Sequence, residues 1–147
     1  VKINNLVTTE SFSPSMFANT ADLKNLVITN SKIPLAMICE NSYNIENIVF
    51  DSVVITNNNL YNAFAKINTN FNISFNNISS AVGILSGYSM FYKSNIDSPA
   101  SILNQMKGLK ITTDAMFYYS NINNLVINDD FPFEIDDGWN RPFYMQM

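Results

Sequence analysis

The side chains with the strongest potential for chemistry are five carboxylates that crowd within nine residues near the C-terminal end. They are Asp129, Asp130, Glu134, Asp136 and Asp137. A glycosidase needs a pair of carboxylates, because one acts as an acid and the other as a base or nucleophile. Carboxylates also bind calcium, but these lack the alternating Asp/Asn ligands and the distal Glu of an EF-hand loop. We interpret the segment as a solvated acidic loop, with calcium binding as the alternative.

Composition excludes nucleophilic catalysis by the usual triads and metal sites that contain histidine. The chain has no histidine, so neither a Ser-His-Asp nor a Cys-His arrangement can form. Its four glycines form no phosphate-binding loop. Cys39, the one cysteine, stands in the apolar run 35–39 and is expected to be a buried, inert thiol. We therefore predict that the protein is not an enzyme and needs neither a cofactor nor a metal.

The charge balance restricts the partners. The net charge is −4, and the eight basic residues are scattered singly. Nucleic acid is therefore not expected as a partner, because phosphate binding needs clustered cations. No apolar run reaches the roughly 18 residues needed to cross a bilayer, so membrane insertion is not expected. A hydrophobic fraction of 47% predicts instead one folded domain with a sizeable core.

Any functional side chain must be positioned by a sequence repeat, whose recurring motif we call the repeated phrase. Residues 3–7, Ile-Asn-Asn-Leu-Val, return unchanged as residues 122–126. Degraded copies lie between them, so that the six copies begin at positions 3, 23, 45, 70, 96 and 122. Steps of this length are typical of a solenoid, in which each repeat forms one coil and stacks on the next.

The copies share a strand pattern, and an apolar pair recurs between successive copies. The fourth and sixth residues are mostly apolar, as in Leu26 and Ile28, and residues two apart on a strand share a face. This spacing predicts one short parallel strand per coil, although Pro99 is expected to break the pairing in the fifth. The apolar pairs precede the strands and should fill the core opposite them. They are Met16-Phe17, Met37-Ile38, Ala63-Phe64, Met90-Phe91 and Met116-Phe117.

The third residue of each copy is asparagine, except in the fifth copy, which has Ser98. A polar side chain at one phase of a solenoid can form a ladder, because each amide donates to one neighbouring coil and accepts from the other. About one residue in six is asparagine, a frequency that does not readily give five matches in six copies. We therefore predict an amide ladder along Asn5, Asn25, Asn47, Asn72 and Asn124.

The combination of a Met-Phe pair and a Leu-x-x-Leu-x-Ile strand resembles the BspA-type leucine-rich repeats of bacterial, protist and phage-encoded surface proteins. Met16-Phe17 with 23–28 and Met116-Phe117 with 122–127 carry the resemblance. It implies a leucine-rich-repeat-like solenoid of about six coils over residues 1–128, with short parallel strands and short turns. A right-handed parallel β-helix is the alternative. Residues 129–147, rich in aromatic and acidic side chains, are expected to cap the last coil.

The fifth residue of each copy is the candidate for binding, because it lies between two inward residues and should face outward. In four copies it is valine: Val7, Val27, Val49 and Val126. Lys24 and Glu46 flank this stripe from the second position. The valines could simply suit a strand, or they could form a docking surface, since contiguous exposed apolar patches usually mark an interface. The docking interpretation predicts a protein partner.

These features predict a non-catalytic protein-binding or adhesion module of a cell-surface or virion-surface protein, acting through its strand face. The expected partner is a host-surface protein or a neighbouring subunit, with a glycan as the alternative. The expected location is extracellular, on a cell surface or on a virion. The alternative function is a structural virion component, such as a fibre or decoration protein, that forms a homo-oligomer through the same valines.

Overall fold

The structure, a computed structural model, describes residues 1–8, 15–112 and 114–124. Within them the chain forms parallel strands stacked as a β-solenoid of about 5 turns, with little helix. The prediction of a repeat solenoid is confirmed, and the coils are also consistent with the β-helix alternative. The expected cap at 129–147 and the end of the sixth copy lie outside the described residues.

Short strands and one short helix make up the regular structure of the described part of the chain. The strands are β1 (Lys2–Asn4), β2 (Asn25–Ile33), β3 (Asn47–Ile55), β4 (Asn72–Asn76), β5 (Ser79–Ser80), β6 (Leu85–Ser86), β7 (Asn95–Asp97), β8 (Ile111–Thr112) and β9 (Asn121–Asn123). The helix, α1, spans Pro99–Asn104. No helix in the described ranges is long and apolar enough to cross a membrane.

The largest sheet contains β1 to β5, and all its strand pairs are parallel. Leu26 on β2 lies opposite Ile48 on β3, which in turn lies opposite Ile73 on β4. The predicted strand spacing is therefore confirmed for the second, third and fourth copies. Their buried inward side chains are Leu26, Ile28, Ile48, Phe50, Ile73 and Phe75. Two smaller sheets pair β6 with β8 and β7 with β9.

Each coil bends at residues whose backbone φ is positive. Asn5, Asn30, Ser52 and Asn77 form one such corner, with φ of 61°, 49°, 57° and 51°. They stack on one another because the residues just before them are paired in the parallel ladders. Asparagine tolerates this left-handed conformation better than most residues, since its short amide can bond locally. The asparagine-rich composition thus has a structural use at the corners as well as on the strands.

The core opposite the large sheet contains a column of phenylalanine rings from successive coils. Phe64 stacks on Phe91 with 5.6 Å between ring centroids, and Phe91 stacks on Phe117 at 5.2 Å. All three side chains are fully buried. The apolar pairs that end in these residues therefore fill the core as predicted.

The second coil departs from its predicted apolar pair. Its core residues are Ile38 and Cys39, both fully buried, whereas Met37 occupies a corner with φ of 54°. The Cys39 N–H donates to Ala63 O, and this bond brings Cys39 level with Phe64. The prediction of Met37-Ile38 as the core pair is therefore wrong by one residue. The position of the corner, and not the size of the side chains, determines which residues of the coil point into the core.

The first coil is displaced from its predicted alignment. Val7 lies opposite Lys32, whereas the repeated phrase aligns it with Val27. Asn5 adopts the corner conformation at φ 61°, so Val7 follows the corner instead of standing in the strand before it. The Lys32 N–H donates to Leu6 O at 2.8 Å, which fixes this register.

The fifth coil replaces a strand of the large sheet with α1. Ser98 precedes the helix with φ of 53°, and Pro99 begins it. The prediction that Pro99 breaks strand pairing is therefore confirmed. Elsewhere in this coil the predicted register holds, since Ile96 pairs with Ile122. Gln105, which follows the helix, bonds the open edge of β4 with its side chain.

Candidate binding surfaces

The predicted valine stripe is present only in part. Val27 on β2 lies directly opposite Val49 on β3, and each stands between two buried neighbours, so both point outward. Both side chains are half-buried, and Ser74 continues the row on β4. The structure therefore brings two of the four predicted valines together on one sheet.

The other two valines do not join this row. Val7 is 67% exposed, but it stands next to Lys32, beyond the corner. The interpretation of Val7 as part of the stripe is therefore wrong, because the chain turns at Asn5 before reaching it. Val126 lies outside the described residues.

Lys24 and Glu46, which were predicted to flank the valines, form an ion pair between neighbouring coils. The Lys24 Nζ lies 3.0 Å from Glu46 Oε1, and the side chains are 52% and 53% exposed. An exposed pair of this kind contributes roughly 0–1 kcal/mol to stability, because water and salt screen it. Its main effect is on the surface, where the two charges offset each other beside the valines.

An amide ladder borders the valines, as predicted for three of the five asparagines. Asn47 Nδ2 donates to Asn25 Oδ1 at 2.9 Å, and Asn72 Nδ2 donates to Asn47 Oδ1 at 3.3 Å. All three side chains are exposed. The ladder therefore orders a polar row on the outside of the sheet.

Asn5 and Asn124 do not belong to the ladder, contrary to the prediction. Both have a positive φ, 61° and 53°, and so occupy corners rather than strands. Asn124 Nδ2 donates instead to Asp97 Oδ1 at 2.6 Å. Ser98, at the same place in the fifth copy, is also a corner residue. The third residue of the phrase therefore lies on a strand in the three middle copies and at a corner in the other copies.

The outward residues of β2, β3 and β4 form a lattice that we call the sheet face. Its columns are the asparagine ladder, the valine row and a third column on β2, β3 and β4. The members are Asn25, Val27, Thr29, Asn47, Val49, Asp51, Asn72, Ser74 and Asn76. With strands about 4.8 Å apart and alternate residues about 6.7 Å apart, the lattice measures roughly 10 by 13 Å.

A second surface, which the sequence analysis did not identify, carries two exposed tyrosines. Tyr61 and Tyr88 stack in neighbouring coils, with 6.3 Å between ring centroids and 8° between ring planes. Their exposed fractions are 40% and 46%. The sequence feature that could have identified them is their separation: 88 minus 61 gives 27 residues, which is close to the spacing of the repeats.

Polar side chains accompany these two rings. Asn59 lies opposite Ser86, and Ser86 lies opposite Thr112 in the next coil. Asn59 Oδ1 accepts a hydrogen bond from the Tyr61 N–H at 2.7 Å, which fixes the orientation of the amide. We call Asn59, Tyr61, Ser86, Tyr88 and Thr112 the tyrosine face. All five side chains are uncharged.

A further aromatic group lies past the next corner. Tyr92 stacks on Tyr118 at 5.7 Å between centroids, and the Tyr118 and Tyr119 rings are 4.4 Å apart. The Lys93 Nζ lies 5.3 Å from the centroid of Tyr92, within the range of a cation–π interaction. These three rings are half-buried, so they offer less free surface than the tyrosine face.

Groups suited to covalent or metal chemistry do not converge on either surface. Cys39 is buried, and burial raises the pKa of its thiol far above the usual range. The neutral thiol is a weak nucleophile and a weak metal ligand. Within the described ranges, no group of three or more His, Cys, Asp or Glu side chains could hold a metal ion. The acidic segment 129–137 lies outside those ranges, so its interpretation stays a prediction.

Comparison with known proteins identifies no relative: no family model, no curated protein and no solved structure matches this chain. The resemblance to BspA-type leucine-rich repeats therefore stays a prediction.

Proposed function

We propose that the chain is a non-catalytic protein-binding or adhesion module of a cell-surface or virion-surface protein, related to BspA-type repeats. It acts through the sheet face, and its partner is a protein. The observation that carries the proposal is the pairing of Val27 with Val49 on the outside of two adjacent strands. When a partner covers apolar side chains in that position and removes them from water, the free energy of the complex is lowered.

Hydrogen bonds within the chain order the sheet face without a partner. Its rows are held by the parallel backbone ladders of β2, β3 and β4. The asparagine column is fixed by its own side-chain hydrogen bonds. A preorganised surface loses little conformational entropy on binding, so more of the contact energy is available as affinity.

The surroundings of the valines define the chemistry of the partner. Amide groups lie on one side of them, and Thr29 and Asp51 lie on the other. A complementary protein surface places an apolar side chain over Val27 and Val49 and hydrogen-bond donors over Asp51. Polar rims around an apolar centre are the usual anatomy of protein interfaces.

The size of the sheet face predicts the strength of binding. A lattice of roughly 10 by 13 Å is small beside the roughly 800 Å² that each partner buries in a stable complex. We therefore expect weak binding by a single copy. Display of many copies on one surface strengthens such binding through effective concentration, as an adhesion module requires.

The test is retention of the intact chain, coupled in many copies to beads, on an array of extracellular-matrix proteins. The double variant Val27→Lys and Val49→Lys should abolish retention, because two cations would replace the apolar centre. Val7→Lys is the matched control, since it makes the same substitution beyond the corner, and it should bind like the original chain. Unchanged retention of a folded double variant would contradict the proposal.

The structural alternative, self-association through the same valines, gives a different result in solution. Light scattering would then report an oligomer of the intact chain that dissociates in the Val27→Lys variant. A monodisperse monomer argues against this alternative and leaves a foreign protein as the partner.

A further inference from the structure

We propose that the tyrosine face is a second binding site, and that its ligand is a neutral carbohydrate chain. Tyr61 and Tyr88 would stack against the C–H faces of sugar rings. Asn59, Ser86 and Thr112 would bond the hydroxyl groups of the same sugars. This site lies on other strands than the sheet face, and the inference does not rest on the function proposed for that face.

The two rings are placed by the coils rather than by flexible loops. The Leu60 N–H donates to Ser86 O at 2.8 Å, and the Ser86 N–H donates to Asn58 O at 2.7 Å. These backbone hydrogen bonds lie one to two residues before each tyrosine, so they fix the positions of Tyr61 and Tyr88 relative to each other along the stack of coils. Parallel rings at a fixed separation can contact a linear chain of sugars without reorganising.

Tyrosine suits this ligand because it is both apolar and polar. A pyranose ring presents a C–H face that packs on an aromatic ring, while its hydroxyls remain free to form hydrogen bonds. Tyr61 and Tyr88 stack on each other but remain 40% and 46% exposed, so contact with a sugar is left to the sides of the rings that do not face each other. The phenolic hydroxyl at the end of each ring can in addition donate to or accept from a sugar.

The polar side chains of the tyrosine face can supply directional bonds. The Asn59 carbonyl oxygen already accepts from the Tyr61 N–H, so the Nδ2 of this exposed amide is the group left to donate. Thr112 Oγ1 makes one hydrogen bond to the described part of the chain, a long one of 3.5 Å to Leu85 O. Ser86 Oγ has no hydrogen-bond partner within the described ranges. Hydroxyls that can both donate and accept match the same property of sugar hydroxyls.

The charge and composition of the site favour a neutral carbohydrate over other ligands. None of its five side chains is charged, so these side chains supply no cation to a carboxylate or sulfate group. The residue that precedes the equivalent corner in the next coil is the acidic Asp114. Two tyrosines bordered by hydroxyl and amide side chains match a ligand whose rings have apolar faces and whose hydroxyls form hydrogen bonds.

The experiment is calorimetric titration of the intact chain with three neutral oligosaccharides: cellohexaose, mannohexaose and chitohexaose. At least one should bind, and Tyr61→Ala or Tyr88→Ala should weaken it about tenfold or more, equivalent to roughly 1.4 kcal/mol. Tyr61→Phe keeps the ring and should retain most of the affinity. Tyr43→Ala removes a tyrosine that is also exposed, at 44%, but lies in another turn, and it should have no effect.

Two results would overturn the inference. One is the absence of binding by all three oligosaccharides. The other is sugar binding that persists in the Tyr61→Ala and Tyr88→Ala double variant. Sugar binding that is unchanged in the Val27→Lys and Val49→Lys variant would support the independence of the two surfaces. If the tyrosine variants instead lose retention on a matrix protein while no sugar binds, the face is a protein site and the carbohydrate proposal is wrong.

Discussion

Gln105 bonds Phe75 as a neighbouring strand would: the Phe75 N–H donates to Gln105 Oε1 at 2.8 Å, and Gln105 Nε2 donates to Ile73 O at 3.2 Å. In a parallel ladder, the backbone of a residue opposite Ser74 would make these same two bonds. The side-chain amide therefore substitutes for a peptide group at the edge that α1 leaves without a strand. Closing such an edge also protects it from pairing with another chain.

The first prediction concerns this edge. Gln105→Ala should lower the free energy of unfolding by about 1–3 kcal/mol, because a backbone N–H and a backbone carbonyl lose their partners. Urea titration followed by circular dichroism measures the change. The matched control is Asn104→Ala, an exposed neighbour at the end of α1, which should change stability by less than about 0.5 kcal/mol. Equal effects of the two substitutions would show that the amide does not close the edge.

The amide ladder gives a second prediction. Asn47 is its middle member and bonds both Asn25 and Asn72. Asn47→Ala should lower stability by about 1 kcal/mol, since two solvent-exposed hydrogen bonds are lost. Asn68 is exposed, and its side chain makes no hydrogen bond within the described ranges, so Asn68→Ala should be nearly neutral. A neutral Asn47→Ala would mean that the ladder orders the surface without stabilising the fold.

The phenylalanine column gives a third prediction. Phe91 lies between Phe64 and Phe117 and is fully buried. Phe91→Ala should cost roughly 3–5 kcal/mol, because it removes a large side chain and leaves a cavity between coils. Phe91→Leu should cost less, since most of the volume remains. Chemical denaturation of the two variants measures the difference, and similar small losses in both would argue against a stacked core.

Cys39 gives a fourth prediction, about reactivity and pH. Burial raises its thiol pKa, so the folded protein holds the neutral form and should react very slowly with a thiol reagent at pH 8. Unfolding should release full reactivity. Because the folded pKa is raised, this group favours folding at neutral pH, and its contribution declines as pH rises above the ordinary value of about 8.5. Ser101→Cys supplies an exposed thiol as a control, and equally rapid labelling of both sites would refute the buried position.

The repeat in the sequence predicts the solenoid and the register of its middle coils. Leu26, Ile48 and Ile73 share a phase in the sequence and are aligned in the structure, because stacked coils must repeat their inward residues. The register that the repeated phrase predicts is wrong for its outer copies. Asn5 and Asn124 look like strand asparagines in the sequence, but both adopt the left-handed backbone of a corner. Asparagine suits either position, so residue identity does not distinguish them.

Other features depend on contacts that no local pattern reveals. The bonding of Gln105 to β4 joins residues about one coil apart and requires α1 to have displaced a strand. The tyrosine face was in principle detectable, since Tyr61 and Tyr88 are separated by about one repeat. The repeated phrase covers the strand positions, whereas these tyrosines precede a different corner of the coil.

The stacking of the coils determines both surfaces, and disulfide cross-linking tests it most directly. In a Cys39→Ala background, Val27→Cys with Val49→Cys should form a disulfide on oxidation. Val7→Cys with Lys32→Cys should do the same, because paired residues of adjacent strands lie about 4.8 Å apart, within reach of the bond. Peptide mapping by mass spectrometry identifies the products.

The decisive comparison is the pair Val7→Cys with Val27→Cys. These residues are aligned by the repeated phrase, but in the structure they lie on different sides of a corner. No disulfide should form between them while the chain is folded. Cross-linking of Val7→Cys to Val27→Cys, without cross-linking of Val7→Cys to Lys32→Cys, would contradict the coil register on which both proposed surfaces depend.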